Sequence, residues 1–351
     1  MSNECFQSQK FPARNVAMTE PLLDKISRPL RDLRISVTDR CNFRCRYCMP
    51  REVFDADFEF LQRQRLLTFE EINRVVKSLL PLGIKKVRIT GGEPLLRRDL
   101  ANLVAMLSDH DLDLALTTNA SLLAKYAKVL SKAGLNRVTV SLDAMDEATF
   151  QEMNDVELSI QQVLDGIEVA HSSGLDLKIN CVIQRGVNEH AILPLVEYFR
   201  HTPHVLRFIE YMDVGNTNAW SLDEVVSVEE IIAKISAIYP LNPIPRTHVG
   251  DTASRYSFAD GGGEIGVISS VSAPFCGNCN RARISADGQI YTCLFASSGF
   301  DLRERLRRGD SDDELAKFVS NIWRGRDDQY SQLRSNNIQT RDKIEMSYIG
   351  G

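Results

Sequence analysis

Between residues 33 and 212 the chain alternates strand patterns with helix patterns about six times, and this alternation narrows the fold more than any other feature. Strands are expected at 33–40, 85–90, 112–119, 136–143, 175–183 and 205–212. The first of them alternates Leu33, Ile35 and Val37 with polar residues. Helices are expected at 68–83, 99–109, 121–132, 159–172 and 190–200. Thr68 and Glu71 form a capping-box signature at the start of the first helix, and Gly83 stops it. Strands separated by helices pair in parallel and are covered by those helices. Polar or glycine-containing groups repeatedly follow the strands: Asp39-Arg40, "TGGEP", "TTN" and "SLD". Barrel enzymes place their chemistry on that edge. Alternation alone does not separate a barrel from an open α/β sheet.

Around 240–265 the pattern breaks. "YPLNPIPRT" and "DGGGEIG" read as loops, and a domain boundary is expected near 240. Beyond it, residues 281–293 read as a hairpin turning on Asp287-Gly288, and 311–323 as a polar helix. Residues 1–31 have no signal-peptide core and read as an extension, with acids at Glu4, Glu20 and Asp24 that suit a transit peptide badly. No uncharged apolar run reaches membrane-spanning length. The formal charge of -5 gives no support to a nucleic-acid binder. A cytoplasmic protein that contacts neither nucleic acid nor membrane is expected.

Six of the eight cysteines fall in two compact groups, at 41, 45, 48 and at 276, 279, 293. Without a secretion signal, metal ligation fits them better than a disulfide scaffold. Cys5 and Cys181 stand apart, and Cys181 reads as core. "CNFRCRYC" has the spacing C-x3-C-x2-C. Three thiolates hold three irons of a cubane [4Fe–4S] cluster and leave the fourth open to a chelating molecule. A structural zinc would need a fourth ligand, and no histidine or further cysteine lies nearby. Tyr47, between two of the ligands, would lie close to the cluster.

In the second group, "CGNCNRARISADGQIYTC", the spacing is C-x2-C-x13-C. A cluster fits it, and so does zinc with His248 as fourth ligand. Arg281 and Arg283 lie two apart on an expected strand and share a face suited to phosphate or carboxylate. Lys86 with Arg88 and Lys178 with Asn180 alternate in the same way. Inside a barrel, such cations would require an anion.

"CNFRCRYC" with "GGEP" resembles the radical S-adenosylmethionine (SAM) superfamily. With "LLTFEE", "RITGGEPLLRRDL", "VSLDAM", "RFIEYMDVG", "FCGNCNRARISADGQIYTCLF" and the terminal "YIGG", the chain is similar to the GTP 3′,8-cyclase family, molybdenum cofactor biosynthesis protein A, from about Asp32 onward. The resemblance implies a partial (β/α)6 TIM-type barrel over 32–240, a cluster-binding domain over 241–340 and a Gly-Gly tail over 341–351. It implies a lyase with two [4Fe–4S] clusters and SAM. The 5′-deoxyadenosyl radical would take the C3′ hydrogen of GTP, giving (8S)-3′,8-cyclo-7,8-dihydroguanosine 5′-triphosphate, the first step toward molybdopterin. The cluster on Cys41, Cys45 and Cys48 would cleave SAM. The cluster on Cys276, Cys279 and Cys293 would bind guanine at its open iron.

The resemblance also implies SAM contacts at Gly92, Glu93, Thr118, Ser141 and Asn180, with Tyr47 between SAM and substrate. GTP would meet Arg34, Lys86, Arg88, Thr90, Lys178, Arg207, Arg281 and Arg283. Gly350 and Gly351 would enter the active site beside the arginines. Implied partners are a flavodoxin or ferredoxin electron donor, a downstream cyclic pyranopterin monophosphate synthase and a second copy of the chain. There are two departures from the family pattern. "TTNA" stands where "TTNG" is expected, so Ala120 is expected to avoid a glycine-only backbone conformation, with a slightly different loop. "QEMNDVELSI" alters an arginine–asparagine motif and leaves one loop contact in doubt. Two rivals stay open: a radical SAM enzyme acting on a peptide, and a nonenzymatic electron-transfer or zinc-stabilised protein.

Overall fold

A computed structural model describes residues 21–246, 250–334 and 342–351; Cys5 and His248 lie outside them. Six parallel strands form its centre: β1 (Asp32–Ser36), β2 (Lys86–Thr90), β3 (Asp113–Thr118), β4 (Arg137–Ser141), β5 (Asp176–Ile183) and β6 (Val205–Glu210). They pair in sequence order, each joined to the next through helix. The helices are α1 (Phe69–Leu79), α2 (Leu100–Ser108), α3 (Leu123–Lys132), α4 (Glu147–Asn154), α5 (Ile160–Ser172) and α6 (Ile192–Phe199). Each buries an apolar stripe; in α1 it is Ile72, Val75, Val76 and Leu79, at helical spacing. The capping box at Thr68 and Glu71 is formed, and Gly83 takes a φ of 103°. Leu33, Ile35, Val87 and Ile89 turn toward these helices and are fully buried. Their alternates, including Arg34 and Arg88, turn inward.

The expectation of loops over 240–265 is overturned. After α7 (Val228–Ser236), strands β7 (Leu241–Ile244), β8 (Ser254–Phe258) and β9 (Glu264–Ile268) form an antiparallel meander. The prolines and glycines that suggested loops have other places. Pro243 lies on the edge strand, where a missing N–H is tolerated, and Gly261 and Gly263 make the turn at positive φ. β9 pairs in parallel with β6, so the sheet continues across position 240.

At the other end, β10 (Arg281–Ile284) pairs in parallel with β1, placing Arg281 beside Asp32 and Arg283 beside Arg34. β10 turns through Gly288 into β11 (Gln289–Tyr291), which pairs with β12 (Phe300–Asp301). Helices α8 (Leu302–Arg307), α9 (Asp312–Gly325), α10 (Tyr330–Leu333) and α11 (Met346–Ile349) complete the described chain. The twelve strands form one sheet, and no pairing among the described residues joins its two ends, so the barrel is partial. No described helix is long and apolar enough to cross a membrane.

Ala120 takes a left-handed φ of 61°, as five other non-glycine residues among those described also take a positive φ, and it is fully buried. An L-residue there costs about 1 kcal/mol relative to glycine, close to the roughly 0.8 kcal/mol that a buried methyl contributes. The two effects nearly cancel. We therefore expect Ala120→Gly to change unfolding free energy by less than about 0.5 kcal/mol, whereas Ala127→Gly, equally buried within α3, costs about 1–2 kcal/mol. Chemical denaturation of the two variants measures both.

Candidate active site

The inward side chains of the strands surround a cavity of about 550 Å³. Cys276, Cys279 and Cys293 open onto it at one end. Tyr47, from the first cysteine loop, lines it together with Ser141 and Asn180. Between them lie the cations Arg34, Lys86, Arg88, Lys178, Arg207, Arg281 and Arg283, along with Arg137, which the sequence reading did not single out. Register explains the convergence: Arg34 neighbours Arg88 and Arg283, and Asn180 neighbours Ser141 and Arg207. Cys41, Cys45, Cys48, Gly92, Glu93, Thr118, Thr90 and Gly350 are not among the residues that line the cavity.

The positive charge is poorly matched by the protein. Asp32 pairs with Lys86 at 3.3 Å and is lowered to about 2; burial opposes this, but Lys86 and Arg34 outweigh it. Arg88 donates to the Thr117 and Thr139 hydroxyls, each at 2.9 Å. The Nε atoms of Arg34, Arg88 and Arg207 are buried without a hydrogen-bond partner. Burial, reinforced by neighbouring cations, pulls Lys86 down to about 7, Lys178 to about 8, Arg207 to about 9 and Arg283 to about 10. Arg34 is also pushed well down by burial and by Arg283. Unpaired, buried guanidinium donors converging on one space suit a multiply charged anion.

The first cysteine loop is built by backbone contacts. Phe43 is buried edge-on against Phe150 of α4. The Arg44 and Arg46 amides donate to the carbonyls of Asn154 and Met153, and the Cys45 thiol donates to Asn154 Oδ1 at 3.1 Å. The altered "QEMNDVELSI" segment thus still reaches the loop. "GGEP" is held close by amide bonds from Gly92 to Thr38 O and Glu93 to Arg40 O, both 2.8 Å. A Cβ on Gly92 would overlap the Arg40 carbonyl, so glycine is needed here for the approach of two backbones.

Glu93 is fully buried and accepts from Thr118 Oγ1 (2.8 Å), Asn119 N (2.8 Å) and Leu95 N (2.9 Å); burial raises it to about 7. Two expected SAM contacts, Glu93 and Thr118, are therefore bonded to each other. Asn119 also reaches Cys41 Sγ at 3.9 Å and Asn42 at 3.0 Å. Tyr47 donates to Asp143 at 2.8 Å, and Asp143 also accepts from the Val182 amide. The sequence reading passed over Asn119, Asp143 and Asn154, although the first two lie in the strand-end groups "TTN" and "SLD" that it flagged.

All six clustered cysteines are free and partly buried, and Cys181 is buried. Burial raises Cys41 to about 12, and burial with the neighbouring thiols also lifts Cys45 and Cys48 well above the usual thiol value. In the second group, burial raises Cys293 to about 12. Cys279 is instead lowered to about 6: burial opposes this, but Arg281 and Arg326 outweigh it. Amides of Phe43 and Phe295 point at Cys41 and Cys293 sulfur at 3.4 and 3.5 Å. Among the described residues, no three His, Cys, Asp or Glu side chains are grouped to share one metal ion. A cubane, in contrast, takes each thiolate on a different iron, and sulfur atoms met by amide donors fit it. Gly350 and Gly351 lie against the site. Arg283 Nη1 donates to the Gly350 carbonyl, Gly350 packs on Thr90 at a φ of 79°, and Gly351 lines the cavity. Glu345 anchors this tail on Asn216 N at 2.9 Å and Thr217 Oγ1 at 3.1 Å.

Comparison with known proteins accords with this geometry. A family model described as the radical SAM superfamily matches residues 35–199, and one described as Molybdenum Cofactor Synthesis C matches residues 204–332. Proteins named GTP 3′,8-cyclase from Acidothermus cellulolyticus and Xanthomonas axonopodis pv. citri are each 50% identical, over 95% of this chain and 100% of theirs. One from Staphylococcus epidermidis is 48% identical at the same coverage. The crystal structure of Streptococcus suis SuiB bound to S-adenosylmethionine shares the fold at a TM-score of 0.62 and 15% identity, over 87% of this chain and 68% of that one. Matching such relatives at about half its positions along nearly its whole length, the chain belongs to the GTP 3′,8-cyclase family within the radical SAM superfamily.

Proposed function

We propose that this chain cyclises GTP between C3′ and C8, using one [4Fe–4S] cluster and SAM on the Cys41–Cys45–Cys48 loop and a second cluster on Cys276, Cys279 and Cys293. The observation that carries the reading is the cavity itself: it is open to the second cysteine group, bordered by Tyr47 of the first, and lined by more cations than carboxylates, with buried guanidinium donors of Arg34, Arg88 and Arg207 left unpartnered. Bound there, the reduced first cluster and SAM supply a carbon-centred radical able to take hydrogen from the GTP ribose.

The chain's own residues bind, orient and shield. Arg34, Arg88, Arg207 and Lys178 present donors to the triphosphate from adjacent strands, replacing the water that a polyphosphate would otherwise hold. Asp143 fixes the Tyr47 ring between SAM and substrate. Ser141 and Asn180, side by side on β4 and β5, offer hydroxyl and amide groups to SAM; Asn180 Oδ1 is buried and unpartnered. Gly92 lets the "GGEP" turn support the loop, with Glu93 and Thr118 bracing it. Arg281 and Arg283 hold charge beside the second cluster, and Arg283 seats the tail through Gly350, excluding water from that wall.

The work divides at about position 240, with SAM chemistry in 32–240, the second cluster in 241–340 and the closing tail in 341–351. We further take the enzyme to be cytoplasmic and homodimeric, reduced by a flavodoxin or ferredoxin system and followed by a cyclic pyranopterin monophosphate synthase.

Anaerobic incubation of reconstituted protein with SAM, reductant and GTP is the direct test; failure to form the 3′,8-cyclised nucleotide would sink the proposal. In the same assay, Cys45→Ala is expected to abolish SAM cleavage. Arg283→Ala is expected to retain cleavage while losing on the order of 100-fold in GTP cyclisation, the scale of one buried charged donor. Gly350→Ala places a methyl against Thr90 Cγ2 at an unfavourable φ, and should lower cyclisation without changing iron content; Thr90→Ser in that background should recover part of the loss. Finally, bound triphosphate raises the pKa of Lys86 and Lys178 above their free values of about 7 and 8. Binding therefore takes up protons above pH 7, and GTP affinity should fall as pH rises from 7 to 9, on the order of tenfold. Calorimetry in buffers of different ionisation enthalpy measures both effects.

A further inference from the structure

The segment ahead of the barrel reaches the second cysteine group. Residues 22–30 fold back on themselves, with Leu23 bridged to Pro29 and Ser27 at a φ of 67°. Inside this turn, the side chains of Asp24 and Arg28 are 0% and 2% exposed, and that of Arg326, just past α9, is 1% exposed. One carboxylate oxygen of Asp24 takes both guanidinium groups, Arg28 Nε at 2.5 Å and Arg326 Nη1 at 3.3 Å. Each arginine then holds a backbone carbonyl of a cysteine in the C-x2-C loop: Arg28 Nη1 donates to Cys276 O at 2.8 Å, and Arg326 Nη1 to Cys279 O at 2.7 Å. The Trp323 indole donates to Arg28 O at 3.0 Å, and its ring lies 4.5 Å from the Arg326 guanidinium.

The trio is unbalanced in two ways. Two buried cations share one buried carboxylate, and the next acid, Asp328, is partly exposed, 3.4 Å from Arg326 Nε. Nη2 of Arg28 is buried with no hydrogen-bond partner, and both arginines line the cavity. Two buried guanidinium groups whose second carboxylate is partly solvent-screened, with an unused N–H next to a cysteine loop, suit a buried anion. A [4Fe–4S] cluster on three thiolates is such an anion, and its negative charge grows on reduction.

We propose that Asp24, Arg28 and Arg326 form an electrostatic clamp on the second cluster. The guanidinium groups fix the Cys276–Cys279 end of its loop and favour its reduced form, while Asp24 holds them in place and moderates their charge. The proposal rests on reading Cys276, Cys279 and Cys293 as cluster ligands. Charge and hydrogen bonds around cluster sulfur set reduction potential, so the sign of each substitution is fixed in advance.

The test is a redox titration of the reconstituted full chain followed by electron paramagnetic resonance, with the first cluster as internal reference. Iron and sulfide analysis comes first: one cluster in the wild type would overturn the cluster reading, and the clamp with it, whereas two clusters leave the titration to decide on the clamp alone. With two clusters present, Arg326→Gln is expected to lower the reduced-to-oxidised ratio of the second cluster about tenfold at fixed potential, which for one electron is 59 mV. Asp24→Asn, of equal size, should raise that ratio, and neither should move the first cluster. Unchanged ratios, or shifts of the same sign in both variants, would overturn the clamp. If Arg326→Gln loses the second cluster, Arg326→Lys should retain it. Loss from Arg326→Lys and Asp24→Asn as well would make the trio a folding element only, and overturn the proposal.

Discussion

The barrel interior holds more positive charge than the protein neutralises, and the rest of the site is organised by that imbalance. In a protein interior a guanidinium group is tolerated when an anion or a full set of acceptors surrounds it. Here several have neither, and Arg34, Arg88 and Arg207 keep buried donors unpaired. The sheet around them bears the cost: fully buried Leu33, Ile35, Val87 and Ile89 alternate with the charged residues and anchor the same strands to the helices. Each strand therefore carries a stabilising face and a functional face. The depressed pKa values of Lys86 and Lys178 express the same tension in protonation.

The two cysteine groups are held in different ways. The first sits on a loop with little regular structure, held by backbone bonds to the end of α4 and by the close approach of "GGEP". The second precedes and follows a hairpin whose first strand extends the parallel sheet beside β1. Precision at the first site comes from backbone packing, and at the second from strand register and buried ion pairs. Each supporting shell makes rigid what three thiolates alone would leave loose.

Much of this was legible in the sequence. The alternation of patterns located all six central strands and most of the helices, since period and capping are local properties. The i, i+2 spacing of Lys86 with Arg88 and of Arg281 with Arg283 was enough to put each pair on one face, because strand geometry fixes direction. The meander over 241–268 was misread because proline and glycine mark turns and edges as well as loops; which of these applies depends on the neighbouring strand. The left-handed φ of Ala120 was not legible, because a side-chain methyl discourages that region without forbidding it and tertiary packing decides. Asn119, Asp143 and Asn154 were missed because their partners, Cys41, Tyr47 and Cys45, lie 78, 96 and 109 residues away. The turn around Asp24 and Arg28 carried no signal, since its meaning depends on the carbonyls of Cys276 and Cys279.

The pairing of β1 with β10 bears on how the chain is made. Asp32 and Arg281 are register partners, though some 250 residues of chain lie between them. Contacts of such separation form late, because loop closure must come before the reward of pairing. Until β10 is synthesised, one side of β1 is an unpaired strand edge beside a row of charged side chains. The nascent barrel is thus an intermediate that invites mispairing, and protection of that edge during synthesis becomes part of what the sequence must solve.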